Sequence, residues 1–424
     1  MARVSRRRFL SQTVGLGAAA FAVPTIIPRT LLGANERIVM GLIGCGGQGR
    51  DDMRRLVAAG GGSVEFAALC DVYEPQWRRL KRSRAPMATG HADFRSLLDR
   101  NDIDAVSIAT PDHWHALTAI AACQAGKDIY CQKPLSLTIA EGRAMVTAAR
   151  RYGRVFQTGS QQRSSAEFHQ ACEIVQRGRL GKIRHIHTAV GRNRQMGWEP
   201  DSDPPRGLDW NLYLGPAPQV RFNWRRFIHD FRWFYDYSGG HLTDWGAHHN
   251  DIAQWALGMD KSGPVEIEGV GTFSTSGPMD TPVVFNVKYK YADGATLTCS
   301  SDKDGESAFG CWIYGADGEI FVTRGRIESP TEGLLQRSRR EDPKKVKLYE
   351  SRNHHLDFLS CVRTRARPIC DVEIGHRSAT VCHLGNIAIR LGRAIRWDPE
   401  AEVIVGDEAA NRWVSRPMRA PWSV

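Results

Sequence analysis

The 424-residue sequence holds ten cysteines but no Cys-x-x-Cys pair. Cys45, Cys70, Cys123, Cys131 and Cys382 sit inside apolar runs, which fits free, buried thiols and argues against a disulfide framework. Long hydrophobic runs are missing as well. The apolar stretch from Val14 to Ile27 is short and broken by Gly15, Gly17 and Pro24, which excludes a spanning helix and stable membrane insertion. No RNP, zinc-finger or aromatic-interleaved basic motif accompanies the net charge of +11, so a nucleic-acid partner is not expected. Internal repeats and coiled-coil heptads are absent too. What is present is a globular composition, 42% hydrophobic and 24% charged, in a chain long enough for a large core.

Acidic residues are missing from one place in particular. Residues 1–35 contain Arg3, Arg6, Arg7, Arg8 and Arg29 and no Asp or Glu; without them the net charge would be about +6. A mildly basic surface of that kind suits anionic ligands or cofactor phosphates. "SRRRFLSQ" (5–12), then an apolar run, then small residues is the order of a twin-arginine export signal over 1–34. Cleavage is expected after Ala22 or Ala34, with a periplasmic or exported destination. Reduced cysteines suit a chain that folds before it is exported.

"RIVMGLIGCGGQGR" (37–50) is an apolar strand running into glycines. Gly44, Gly46 and Gly49 form Gly-x-Gly-x-x-Gly, with Cys45, Gly47 and Gln48 in the same cofactor loop. A helix over Asp51 to Ala59 and a second buried strand, "VEFAALCD" (64–71), complete a βαβ unit. Gly44 is expected to permit the tight turn, Gly46 to let a pyrophosphate approach, and Gly49 to allow close helix–strand packing. Asp71 stands where the ribose hydroxyls of NAD are held, and favours NAD over NADP despite Arg78 and Arg79 nearby. Strands at 104–110, 127–131 and 155–159 alternate with helices at 113–125 and 138–150, which predicts a parallel sheet. "TPDHWH" (110–115) and "CQKP" (131–134) then fall at carboxyl ends of strands, where ligands bind.

These features run in the order of the Gfo/Idh/MocA oxidoreductases, the relatives of glucose–fructose oxidoreductase and inositol dehydrogenase, which the chain resembles. The matching residues are the glycine motif, Thr110-Pro111-x-x-x-His115, Ala125-Gly126-Lys127, Lys133-Pro134 and Asp244-x-Gly246-x-His248-x-x-Asp251. The resemblance implies an α/β fold: a Rossmann domain and a C-terminal α/β domain with a large open, mostly antiparallel sheet. That sheet covers the nicotinamide and often mediates oligomerisation, so a homo-oligomer, dimer or tetramer, is expected. It also implies a sugar-type substrate and cofactor contacts by Thr110, Pro111, His115, Gln132 and Lys133. The domain plan is a signal over 1–34, a Rossmann domain over 35–160, a substrate and oligomerisation domain over 161–350, and helices with a tail over 351–424 returning toward the first domain.

Hydride transfer from a secondary alcohol needs a base for the hydroxyl proton and a cation for the developing alkoxide. Lys133 fits the second role and shares the first. The family's Glu-Lys is Gln132-Lys133 here, which keeps hydrogen bonding but removes an anion beside the lysine. Asp244 and His248 are four residues apart, which on a helix places them on one face about 6 Å apart at Cβ. The family's acid–base pair maps onto them. His249 points roughly 100° away and is a packing or substrate-side residue. His241, Asp244 and His248 share a spacing that could hold a metal, but no fourth ligand is evident and none is expected. In "WRRFIHDFRWFYDY" (224–237), Arg232, Trp233 and Tyr235 are substrate candidates or core; His241, Gln161 and Arg163 are further substrate candidates.

NAD is scarce outside the cytoplasm, so an exported enzyme is expected to hold its cofactor tightly and recycle it. Two reactions fit: oxidation with regeneration on a second carbonyl, and redox-neutral glycoside cleavage. A non-catalytic sugar- or NAD-binding protein is disfavoured by the retained Lys133, Asp244 and His248.

The second half carries strand-like runs at 183–190, 265–273, 283–301 and 311–322, the last two with Asp-Gly turns. A polar surface loop is expected over 324–347, followed by two helices.

Overall fold

Two sheets organise the chain in the computed structural model, which describes residues 37–336 and 348–424. The export signal over 1–34 and the part of the polar loop over 337–347 lie outside the described residues. The first sheet holds β1 (Ile38–Ile43), β2 (Val64–Cys70), β3 (Thr89–His91), β4 (Ala105–Ile108), β5 (Asp128–Cys131) and β6 (Phe156–Thr158). Its order is β3-β2-β1-β4-β5-β6 and every pairing is parallel. β4 and β5 are buried along their whole length, as strands covered by helices on both faces must be. The order reverses between β1 and β4, and this opens a crevice at their carboxyl ends.

The second sheet is built from β7 (Ile183–Val190), β8 (Glu266–Thr272), β9 (Val284–Lys290) and β10 (Thr296–Ser300). A two-stranded ribbon of β11 (Asp302–Lys303) and β12 (Glu306–Ser307) follows. The sheet continues with β13 (Phe309–Gly315), β14 (Glu319–Thr323), β15 (Arg326–Glu328), β16 (Ile395–Asp398) and β17 (Val403–Ile404). Its order is β15-β14-β13-β7-β10-β9-β8-β16-β17, antiparallel except where β10 meets β7. The Asp-Gly turns at 293–294 and 317–318 close the β9–β10 and β13–β14 hairpins. Along β9, Phe285, Val287 and Tyr289 are buried while their neighbours face outward. Burying each such side chain stabilises by about 1.5–3 kcal/mol. The covering layer is formed by the helices Ala166–Gln176, Gly246–Ala256 and Val372–Leu391.

Two details depart from the sequence expectation. Residues 351–424 supply strands as well as helices, because β16 and β17 extend the second sheet. Their helices still reach the first domain: His354–Thr364 packs on Gly47–Gly60, and Val372–Leu391 packs on Ile139–Arg151. The loop expected from 324 begins with the edge strand β15. All ten cysteines are free and buried.

Candidate active site

The crevice between β1 and β4 opens into a cavity of about 480 Å3 that runs from the glycine turn to Asp244. Gly44 has φ +91, and a Cβ there would lie 2.5 Å from the Ala109 carbonyl oxygen. A Cβ on Gly49 would lie 1.9 Å from the Gly44 carbonyl oxygen, so the turn closes only without side chains at both positions. Gly46 differs: no atom stands within 4 Å of its Cβ position. It caps the helix Gly47–Gly60 without a side-chain hydrogen bond, so an uncapped helix N-terminus borders the cavity with room for phosphates. Gly47 and Gln48 line the cavity; the Cys45 side chain is turned away, its Sγ on the Cys70 carbonyl oxygen.

Asp71 lies just past β2. Its Oδ2 accepts the Cys45 N–H at 2.8 Å and its Oδ1 accepts the Tyr73 N–H at 2.9 Å. Burial pushes its carboxyl up to about 6, against the pull of those two N–H groups and of Arg50. Arg50 also lines the cavity and donates to Gln76 at 2.9 Å. A dinucleotide fits this end: backbone donors for its phosphates, a carboxylate for its ribose.

At the far end, Lys133 Nζ donates to Asp244 Oδ1 at 2.5 Å and to the Asp244 carbonyl oxygen at 3.0 Å. A helix break makes this possible. His241–Asp244 ends as one turn, Gly246–Ala256 begins as another helix, and the His248 N–H donates to the Trp245 carbonyl instead of reaching back to Asp244. Arg232 Nε stands 3.5 Å from Asp244 Oδ1. Burial would raise the Asp244 carboxyl, but Lys133 and Arg232 hold it well below the ordinary carboxylate range. His248 is kept neutral by burial and by the nearby cations of Lys133 and Arg324. Among the described residues its Nδ1 has no hydrogen-bond partner, and its side chain bonds neither Asp244 nor Lys133. The single helical face expected for Asp244 and His248 is thus interrupted at Trp245.

The other candidate residues divide between the cavity and the core, and Trp233 and His249 take the core and packing alternatives expected for them. His115 Nδ1 lies 2.8 Å from the Pro134 carbonyl oxygen and Nε2 lies 2.9 Å from that of Thr110. It ties the two cofactor loops together rather than touching a ligand, whereas Thr110 and Pro111 do line the cavity. Gln132 lines it too, but its amide nitrogen donates to both oxygens of the fully buried Asp52, at 2.9 and 2.7 Å. A carboxyl group, absent from position 132, thus stands one layer behind it. Arg163 is 1% exposed and forks onto Asp251, itself 0% exposed, with Asp260 as a second partner. A desolvated guanidinium needs that pairing, so Arg163 belongs to the core and not to the cleft. Gln161 donates to the Tyr130 hydroxyl at 3.1 Å. Trp233 is buried against His241, their ring centres 5.2 Å apart, and His241 Nδ1 bonds the Val190 carbonyl at 2.8 Å. His249 stacks on Trp245 and faces Cys311 Sγ at 3.4 Å, inside the second domain's core. Tyr235 lies outside the dinucleotide cavity, in a second one. Among the described residues no group of three His, Cys, Asp or Glu is arranged to hold a metal.

Asp112 was missed although it stands inside the quoted "TPDHWH". It lines the cavity, accepts a hydrogen bond from the Ser238 hydroxyl on Oδ2, and is pushed up to about 7 by burial. Ile228, at φ +54 and 52% exposed, closes the cavity from the 224–233 segment.

Two family models match this chain: the NAD-binding Rossmann fold of the Gfo/Idh/MocA oxidoreductases over residues 38–160, and the family's C-terminal alpha/beta domain over residues 194–424. The chain belongs to the Gfo/Idh/MocA oxidoreductase family. It is 29% identical over 169 residues to inositol 2-dehydrogenase of Salmonella typhimurium, 40% of this chain and 49% of the relative. It is 35% identical over 256 residues to levoglucosan dehydrogenase of Pseudarthrobacter phenanthrenivorans, 55% of this chain and 59% of the relative. The matches thus span about half the length of these curated relatives. The fold is similar to the WlbA dehydrogenase of Bordetella pertussis, solved with NADH and UDP-GlcNAcA: TM-score 0.66 and 18% identity, covering 85% of this chain and 99% of that one.

Proposed function

We propose that this Gfo/Idh/MocA member is a NAD-dependent dehydrogenase that oxidises a secondary hydroxyl of a sugar or polyol. The observation that carries the reading is Lys133 Nζ, 2.5 Å from Asp244 Oδ1, at the end of a cleft whose other end is a glycine turn and Asp71. Bound NAD would supply the hydride acceptor, with Gly46, Gly47 and Gln48 at its phosphates and Asp71 at its ribose. Lys133 offers N–H donors to a substrate oxygen and stabilises the charge that grows there as the proton leaves. Asp244 keeps that ammonium oriented, and Arg232 adds a second cation on the same carboxylate. His248, buried and held neutral, is the proton acceptor the family pattern assigns, although it stands behind the cavity lining formed by Lys133 and Asp244. Asp71 supports NAD over NADP, because a carboxylate repels a 2′-phosphate. The names of the relatives support a polyol or anhydrosugar class of substrate.

We further propose that the chain is exported by its twin-arginine segment, holds NAD through repeated turnovers, and assembles through the open face of its second sheet. That face displays Trp312, Tyr314 and Phe321, with Trp312 and Phe321 ring centres 4.7 Å apart.

The test is NADH formation by the purified protein with a panel including inositol and levoglucosan, together with mass spectrometry of ligand released on denaturation. Turnover with one of these, and nicotinamide released at near one per chain, is expected. Release of an aglycone from aryl glycosides without net NADH would replace net oxidation by redox-neutral cleavage. Absence of both reactions, with no NAD binding, would refute the enzyme reading.

A further inference from the structure

The sequence singled out Tyr235 as a substrate residue, yet it faces a cavity that the proposed reaction does not use. This second cavity, of about 370 Å3, lies where five segments meet: the turn after Lys133-Pro134, Pro218, the 235–239 loop, the helix Val372–Leu391 and the tail from 412 to 417. A wall one hydrogen bond thick separates it from the dinucleotide cleft. The Ser238 hydroxyl lines the second cavity and donates to Asp112, which lines the first.

Its chemistry is cationic. The guanidinium carbon of Arg390 lies 4.2 Å from the ring centre of Tyr235 and 4.0 Å from that of Trp413. Tyr235 is itself fixed, its hydroxyl donating to Asn386 Oδ1 at 3.2 Å while Asn386 Nδ2 donates to the Gly239 carbonyl at 2.9 Å. Packed against two rings, Arg390 keeps only its edge N–H groups for a partner, and a planar fork of that kind pairs with an oxyanion. Among the described residues, neither Arg390 nor Arg412, which also lines the cavity, makes a direct hydrogen bond or close ion pair with an acidic group. The third lining arginine is taken: Arg416 Nε donates to Glu141 at 2.8 Å. The one acidic residue lining the cavity, Asp236, faces Arg226 at 3.8 Å. Asp280, the other carboxylate near Arg390, accepts the Tyr235 N–H at 2.7 Å. Asp280 and Asp236 act on Arg390 only through space, so among the described residues neither Arg390 nor Arg412 has its N–H groups taken by a carboxylate.

We infer that this cavity is a second ligand site, distinct from the dinucleotide cleft, that binds a small molecule through a carboxylate or phosphate group held by Arg390 and Arg412. Its volume of about 370 Å3 lies at the small end of small-molecule pockets. The exposed Ser415 offers a neutral hydroxyl contact for the remainder of such a molecule.

The test uses the full chain saturated with NAD, so that phosphate cannot report on the helix N-terminus of the dinucleotide cleft. Calorimetric titrations with inorganic phosphate, with glucuronate and with glucose separate the two oxyanion sources from a neutral sugar. We expect one saturable site per chain for at least one of the two anions and none for glucose. Arg390→Met and Arg412→Met should each weaken it by about tenfold or more, and Arg390→Lys should not restore it, because an ammonium lacks the fork. Both arginines are exposed, so the variants are expected to fold and to bind NAD normally, which the same titrations check. Lack of saturable binding by either anion, or binding unchanged in both Met variants, would overturn the assignment. Saturable binding of glucose that is lost in Arg390→Met would overturn the oxyanion requirement.

Discussion

Asp71 and Asp244 stand at opposite ends of one cleft, and the protein holds these two carboxylates in opposite ways. Asp71 is answered by two backbone N–H groups, and burial prevails, leaving it near 6. Asp244 is in contact with an ammonium and close to a guanidinium, and the cations prevail over burial. Magnitudes explain the difference. A hydrogen bond to a charged group contributes about 1.5–3 kcal/mol. A unit charge about 4 Å away contributes about 4 kcal/mol with protein-like screening. The cofactor end is thus built from backbone and close approach, with one adjustable carboxylate. The chemical end is built from fixed charge.

The sharpest way to break this contrast is to remove the charge at the chemical end. Lys133→Met should lower kcat by about a hundred- to ten-thousand-fold while leaving NAD affinity near wild type, read by steady-state kinetics and a binding titration. At the other end, two glycine changes should part company. Gly49→Ala meets the Gly44 carbonyl and should lower Tm by several degrees, about 1–3 kcal/mol of overpacking. Gly46→Ala has room in the protein and should leave Tm unchanged while weakening NAD, because its methyl group points into the cleft. Comparing His248→Ala with His249→Ala should show a large loss of kcat only for the first, since His249 is enclosed by Trp245 and Cys311. Similar losses of kcat would reassign the pair.

pH sharpens the contrast with a smaller effect. A carboxyl raised to about 6 is protonated below that value and cannot accept both ribose hydroxyls as a carboxylate. NAD affinity should therefore fall as pH drops through about 6, and the fall should vanish in Asp71→Asn, which is weak at every pH. Asp244, held low, stays ionised over the same interval and adds no step, whereas Asp112, pushed up to about 7 in the same cavity, is expected to add one to kcat that persists in Asp71→Asn. The smallest effect belongs to Ile228. A β-branched residue at φ +54 carries strain of about 1–3 kcal/mol, so Ile228→Gly should raise stability slightly or leave it unchanged despite the loss of side chain.

The two ends also differed in how legible they were in the sequence. The glycine turn, Asp71 and the strand alternation are local patterns whose residue types follow from the backbone path, and the structure places them at the cleft. The chemical end needs partners far apart in the chain. Lys133 and Asp244 came from motif order, but nothing in "DWGAHHND" reveals that the helix breaks at Trp245 and frees a carbonyl for the lysine. Gln132 reads as a lost anion until Asp52, 80 residues away, is found behind it. Dense aromatic and basic stretches were the least readable. Arg163, Trp233 and His249 have the composition of a sugar site and the placement of a core, because composition does not say which side of a loop faces the cavity. Asp112 was overlooked because only its buried surroundings, invisible in one dimension, lift it toward neutrality.

The most direct test of the division of labour is a single-turnover experiment with enzyme pre-loaded with NAD and an accepted polyol, comparing wild type with Lys133→Met. We expect NADH to form within one turnover in the wild type and to be suppressed at least a hundredfold or so in the variant, with NAD still bound. NADH forming at the wild-type rate in Lys133→Met would contradict the assignment of the chemistry to the Lys133–Asp244 end of the cleft.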